Sequence, residues 1–158
     1  MNKPQLFVDD GVLRVEPPIK RQLLVQLDEG AYMPVREHAT DGGLDLKSPI
    51  DCYIQPSDSV AIDTGVHIQL PPNTTGEVVC KSGLNVNHGL ICSGLIDEGY
   101  SGSIVVKLYN LSKEPYYIKA GDKIAQLVIR PVLYLTPAQV DKIEGGERGD
   151  NGFGSTGR

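Results

Sequence analysis

Apolar and polar positions alternate over short distances along this chain, and turn residues break the alternation before any run grows long. Runs rich in Val, Ile, Leu and Tyr occupy residues 23–27, 60–62, 66–70, 77–80, 104–109, 116–118 and 124–129. Turn formers separate most of them: Asp63-Thr64-Gly65, Pro71-Pro72-Asn73 and Lys119-Ala120-Gly121-Asp122. Many short strands punctuated in this way predict an all-β sandwich or barrel. Few windows suit a helix. One short helical turn is predicted to begin near Ser82, a residue suited to the N-cap, and a weaker candidate spans residues 136–143. Residues 6–8 and 12–15 flank Asp9-Asp10-Gly11, and Asp-Gly between apolar runs signals a hairpin. Residues 1–20 therefore read as an N-terminal extension, either a hairpin or a partly ordered segment. Residues 21–143 read as the β domain. Residues 144–158 read as a flexible C-terminal arm, because six glycines, two arginines and a lone Phe153 cannot build a core.

Composition narrows the function. A chain of 158 residues suits one domain with its own core. Its formal net charge of −5 argues against wrapping a nucleic-acid backbone, which needs an excess of Lys and Arg. A small anionic ligand stays open, since a few cations and backbone amides suffice to hold one. Cys52, Cys80 and Cys92 are odd in number with no close pair in sequence, so neither a disulfide framework nor a zinc site is indicated. Free thiols, no N-terminal signal segment and no apolar stretch near the ~18 residues of a membrane span make a soluble, cytoplasmic protein the expectation.

Five segments carry candidate chemistry. The arm runs Arg148-Gly149-Asp150-Asn151-Gly152-Phe153-Gly154-Ser155-Thr156-Gly157. Glycine lets backbone approach a ligand, a lone aromatic can stack on a base, and Arg148 offers a fork to phosphate. Ser155 and Thr156 add hydroxyls, so the arm has the makings of a nucleotide lid. In Gly94-Leu95-Ile96-Asp97-Glu98-Gly99-Tyr100-Ser101-Gly102, a carboxylate at a turn follows apolar residues, and Asp97 could polarise a water. Tyr100 could pack on a sugar, and backbone groups of a hairpin there could read a pyrimidine edge. In Cys80-Lys81-Ser82-Gly83-Leu84, a strand runs into a cation and a helical turn, which suits an anion. Asp45 lies between Leu44 and Leu46. Gln126 stands mid-strand, where a polar side chain turned inward needs a partner.

In this order, the five segments resemble the five motifs of the homotrimeric dUTPase family, over residues 22 to 158. The Gly-Leu-Ile-Asp…Tyr…Gly segment and the Arg-Gly…Gly-Phe-Gly-Ser-Thr-Gly arm match most closely, supported by Ile62-Asp63-Thr64-Gly65-Val66 and Lys123-Ile124-Ala125-Gln126-Leu127. The resemblance implies a distorted jelly-roll β-barrel that assembles as a trimer, with active sites shared between chains. It implies hydrolysis of dUTP to dUMP and pyrophosphate. By the same resemblance, one chain supplies Asp97 as the group activating water, with Leu95, Ile96 and Tyr100 around uracil and deoxyribose. A second supplies Lys81, Ser82, Gly83 and Gln126 to the phosphates. A third closes its arm, with Phe153 over uracil and Arg148, Gly154, Ser155 and Thr156 near the terminal phosphate. Mg²⁺ is expected to ride on the triphosphate, with Asp45 acting on it only through water. Tyr100 against C2′ would reject ribose.

Three departures from the family pattern stand out. Lys81 replaces the usual Arg and loses the bidentate fork. The stretch from Lys81 to Asp97 is one residue shorter than in many relatives, and Glu98-Gly99 follows the base. A dCTP deaminase, which shares the fold, would need a glutamate in the strand after the hairpin. That position here is Lys107, which cannot shuttle the proton. A protein that uses the fold only to bind a partner is the other rival, and the full set of catalytic motifs speaks against it.

Overall fold

The structure is a computed structural model that describes the strands at residues 5–9 and 12–16 and the chain over residues 22–145. Two strands, β1 (Gln5–Asp9) and β2 (Val12–Glu16), pair antiparallel as the hairpin signal predicts. Beyond them come β3 (Leu24–Leu27), β4 (Leu44–Lys47), β5 (Cys52–Ile54), β6 (Ser59–Asp63), β7 (Val66–Gln69) and β8 (Thr74–Cys80). Helix α1 (Ser82–His88) follows, then β9 (Leu90–Ile91), β10 (Ser93–Ile96), β11 (Val105–Asn110), β12 (Tyr116–Ile118) and β13 (Lys123–Pro131). All pairs are antiparallel. They form a four-stranded sheet in the order β10-β8-β13-β4, a three-stranded sheet β6-β11-β9, and the pairs β12-β5 and β3-β7. This is the distorted jelly roll that the sequence leads one to expect. Among the described residues, no helix is long and apolar enough to cross a membrane.

Alternation explains the core. In β11, Val106, Leu108 and Asn110 point inward while Val105, Lys107 and Tyr109 face out. Leu46, Ile54, Ile62, Val66, Leu90, Ile118, Ile124 and Leu127 join the inward set from the other strands. The polar exception, Asn110, is fully buried and fully used. Its Nδ2 donates to the carbonyls of Ile54 (3.0 Å) and Glu114 (2.8 Å), while its Oδ1 accepts from the Ser112 amide and hydroxyl. Asn110→Ala would strand two carbonyls and leave a void. We expect a loss of about 3 kcal/mol, from unmet buried groups plus the cavity. The urea midpoint at fixed protein concentration measures it.

Two sequence expectations change, and the free thiols expected of the cysteines are kept. Residues 132–145 adopt no regular structure, so the helix expected over 136–143 does not form. A helix that short depends on tertiary packing, and Val140 (57 % exposed) and Ile143 (79 %) have no face among the described residues to bury against. Ser82 is the first residue of α1 rather than its cap. Lys81 holds the N-cap position with extended backbone and no side-chain cap bond, and Gly89 ends the helix in the left-handed conformation. Cys80, the last residue of β8, and Cys92, just before β10, are far apart in sequence yet meet in space. The Cys92 amide donates to Cys80 Sγ at 2.8 Å, and burial first, then the neighbouring thiol, pushes Cys92 up to about 12. All three cysteines are free.

Candidate active site

The strand β10 and the turn after it form the first half of the site. The strand lies at the edge of its sheet, paired only with β8. Among the described residues, one row of its backbone amides and carbonyls is therefore unclaimed by any strand, which is what a base edge needs for recognition. Asp97 follows directly and is exposed. The sequence suggested a hairpin carrying Asp97. Instead β10 and β11, on either side of it, belong to different sheets, and Asp97 marks the corner where the chain crosses between them. The corner is closed by a Tyr100 amide donating to the Asp97 carbonyl at 2.9 Å. Thr75 Oγ1 donates to the Ile96 carbonyl (2.8 Å), fixing the last strand residue before the turn. Glu98 is occupied in anchoring: its Oε2 accepts from the Asn73 amide (2.9 Å) and the Tyr134 hydroxyl (2.7 Å).

A cavity of about 200 Å³ opens at this corner. Val78 and Ile104 line it along with Leu95 and Ile96, and Asp97 and Tyr100 belong to its wall. Its volume falls below the ~300–1,000 Å³ of a typical small-molecule pocket, and so it suits one planar ring better than a whole nucleotide. Leu95 is 69 % exposed and Ile96 buried, so their side chains lie on opposite faces of the strand.

The second half lies at the far end of β8. Lys81 Nζ sits 2.7 Å from Asp45 Oδ1, and Lys123 Nζ 2.9 Å from Asp45 Oδ2. Gln126 Nε2 also donates to Asp45 Oδ1, at 3.3 Å, supplying the partner its mid-strand position required. Lys123 reaches Glu37 as well, at 2.6 Å. Ser82 and Gly83 are exposed beside Lys81, and the space above Gly83 is open. The sequence missed Lys123 and Glu37. Strict alternation would put Lys123 and Gln126 on opposite faces of β13, but a bulge between Lys123 and Ala125 shifts the phase and brings both to Asp45.

Asp45 is 3 % exposed. Burial works to raise its pKa, but the hydrogen bonds and charges of Lys81 and Lys123 outweigh it and hold the carboxyl below its ordinary value of 3.8. A depressed carboxyl stabilises the fold above 3.8, and the contribution is lost as pH falls through the folded value. Asp45→Asn would leave two ammonium groups facing each other. We expect about 2 kcal/mol of destabilisation at neutral pH, less than for a wholly buried pair because both lysines are partly solvated. The difference from wild type should close as pH drops below 3.8 in acid–urea titrations.

Both Asp45 oxygens face ammonium groups. Among the described residues, no cluster of three His, Cys, Asp or Glu side chains could hold a metal ion. The arm residues Arg148, Phe153, Gly154, Ser155 and Thr156 lie outside the described residues.

Comparison with known proteins places this geometry. A family profile described as dUTPase matches residues 29–157. The deoxyuridine 5'-triphosphate nucleotidohydrolase of Clostridium kluyveri is 44% identical over 138 residues, covering 85% of this chain and 96% of that protein. The mouse enzyme of the same name is 39% identical over 135 residues, covering 85% of this chain and 83% of its own length. Among solved structures, a dUTPase of Staphylococcus bacteriophage 80alpha with dUpNHpp superposes with a TM-score of 0.81 at 29% identity, covering 87% of this chain and 99% of that one. A phage phi11 dUTPase described with a structural Mg(II) ion gives 0.74 at 29% identity, covering 79% of this chain and all of that one (100%). A profile match over most of the chain, with close relatives along nearly their whole length, means that the chain belongs to the dUTPase family.

Proposed function

We infer that this chain is a dUTP diphosphatase, hydrolysing dUTP to dUMP and pyrophosphate in nucleotide metabolism. The observation that carries the reading is the corner at Asp97. A carboxylate stands in the wall of a ring-sized cavity flanked by an unpaired strand edge. Uracil enters the cavity, and backbone groups of β10 match O4 and N3–H. Thymine lacks room for its methyl group and cytosine presents an amino group where a carbonyl is wanted. Tyr100 packs on the deoxyribose and excludes the 2′-hydroxyl. A water held by Asp97 attacks the α-phosphorus in line. The new bond joins the water oxygen to the α-phosphorus, the bond to the α,β-bridging oxygen breaks, and pyrophosphate departs. Asp97 takes the water's proton.

The phosphates need cations, and within one chain Lys81 stands at the opposite end of β8 from Asp97. Asp97 follows Ile96, which pairs with Gly76, whereas Lys81 follows Cys80 at the other end of β8. Five residues along a strand is roughly 17 Å. A nucleotide with its α-phosphorus at Asp97 therefore draws Lys81, Ser82, Gly83 and Gln126 from a neighbouring copy. The apolar residues left exposed support such an assembly: Leu133 and Leu135 in the segment after β13, Val86 on α1 and Leu111 after β11 are 66–83 % exposed. We read the assembly as a homotrimer, with the arm of a third chain bringing Phe153 over uracil and Arg148, Gly154, Ser155 and Thr156 to the terminal phosphate. Mg²⁺ held on the triphosphate would offset the charge of the leaving pyrophosphate. Asp45 contributes by holding Lys81 and Lys123, and reaches the ion only through water. We place the enzyme in the cytoplasm, where dUTP arises.

Lys107 lies on the outward face of β11, with its ammonium 5.2 Å from the Tyr109 ring, and offers no proton shuttle for deamination. Purified protein given dUTP, dCTP, dTTP and UTP should release pyrophosphate efficiently from dUTP alone. Ammonia from dCTP, or no pyrophosphate from dUTP in the presence of Mg²⁺, would overturn the reading.

A further inference from the structure

The turn that carries Asp97 and Tyr100 is held to the body of the fold from outside the site. His67 on β7 is 23 % exposed and lies between two acceptors. Its Nδ1 is 2.8 Å from the Ser101 carbonyl oxygen, and its Nε2 3.2 Å from Asp28 Oδ2. A carbonyl and a carboxylate only accept, so both ring nitrogens must carry hydrogen for both bonds to exist. The site therefore selects the charged imidazolium. Two residues on, Ser103 Oγ donates to Asp63 of β6. The Ser103 carbonyl in turn accepts the Tyr100 hydroxyl at 3.0 Å. Between the two anchors lies Gly102, with the Tyr100 ring folded onto it: a Cβ there would fall 2.6 Å from Tyr100 Cζ. Both anchors thus grip the stretch of backbone on which the ring rests. Tyr100 is also shared by two cavities, the ring-sized one at Asp97 and a second of about 430 Å³ that His67, Ser101 and Glu98 line. Slack on the His67 side therefore moves a wall of the substrate cavity.

We propose that His67, braced by Asp28, is a positioning residue for Tyr100 and Asp97, and that its protonation sharpens the discrimination between dUTP and UTP. The proposal rests on reading the Asp97 cavity as the dUTP site. The groups facing His67 are consistent with it. The Ser101 carbonyl first, then Asp28 after β3, with Asp63 on β6 adding its charge, hold the imidazolium above its ordinary 6.5. Glu98 lines the same cavity from the turn, with its carboxylate held by the Asn73 amide and the Tyr134 hydroxyl. A raised histidine keeps both bonds at and below 6.5 and loses one as pH climbs through the folded value.

The test compares kcat/KM for dUTP and for UTP between about pH 6 and pH 9, the range a histidine spans. The ratio cancels the titration of phosphates common to both nucleotides. Wild type should lose roughly tenfold of its preference for dUTP as pH rises, the size of one charge-assisted hydrogen bond discounted for solvent exposure. His67→Phe, which keeps a ring without donors, should show the weakened preference at every pH. His67→Asn, whose amide nitrogen falls where Nδ1 stands, should keep a stronger preference than His67→Phe, flat with pH. Melting temperatures taken alongside separate positioning from folding. A wild-type preference independent of pH, an Asn variant that titrates like wild type, or a Phe variant of lowered Tm with wild-type preference would each overturn the proposal. A wild type that leaves dUTP intact would overturn the functional reading itself, and this proposal with it.

Discussion

Asp97→Asn should reduce turnover of dUTP by about a thousandfold, within the range of a lost general base, while leaving affinity for a non-hydrolysable dUTP analogue within a few-fold of wild type. The substitution is close to isosteric. Asp97 is exposed at the corner and its backbone carbonyl, not its carboxylate, closes the turn to the Tyr100 amide. The fold therefore has no stake in the side-chain charge, and the cavity should still take its ring. What vanishes is the acceptor that orients the attacking water and receives its proton. Pyrophosphate release gives the rate and calorimetry with the analogue gives the affinity. A variant that keeps a tenth of wild-type activity would remove Asp97 from the chemistry. One that loses both rate and affinity would make it a binding residue.

Deleting residues 148–158 should cost nearly as much, roughly a hundredfold to a thousandfold in kcat/KM, the effect of removing an arginine and several phosphate donors from a closed site. Melting behaviour and oligomeric state should barely change, because the glycines and lone Phe153 of the arm cannot build a core. A deletion that lowers Tm by many degrees would make the arm structural. The two crippled proteins also test the sharing of sites. Co-refolded in equal amounts, the Asp97→Asn and deletion chains should mix within the proposed trimer. If Asp97 and the arm of one site come from different chains, about a quarter of sites regain both by random mixing in a symmetric assembly. If they come from one chain, no site regains both and activity stays at the background of the parents.

Much of the fold was legible because the strands sit where short apolar runs meet strong turns. The runs at 60–62, 66–70, 104–109, 116–118 and 124–129 became β6, β7, β11, β12 and β13 with small changes of boundary. The helix expected over 136–143 failed for a physical reason. Its apolar residues are real, but Val140 and Ile143 stay exposed among the described residues, and local pattern does not say whether any surface will cover a residue. In the site, side-chain types named Asp97, Tyr100, Lys81 and Gln126 without naming their neighbours. The pairing of Asp45 with two lysines needed three strands to align and a bulge in β13, and alternation hides a bulge. His67 was invisible for a similar reason: its partners, Asp28 and Ser101, lie 39 and 34 residues away. The corner at Asp97 shows the limit in its simplest form. A turn between apolar runs looks like a hairpin in sequence, and only the sheet partners reveal that the chain is crossing from one sheet to another.

The central claim is that water held by Asp97 attacks the α-phosphorus of dUTP. Turnover in ¹⁸O-labelled water, with both products analysed by mass spectrometry, tests it most directly. The account predicts one labelled oxygen in dUMP and none in pyrophosphate. Label in pyrophosphate would place the attack on the β-phosphorus and contradict it.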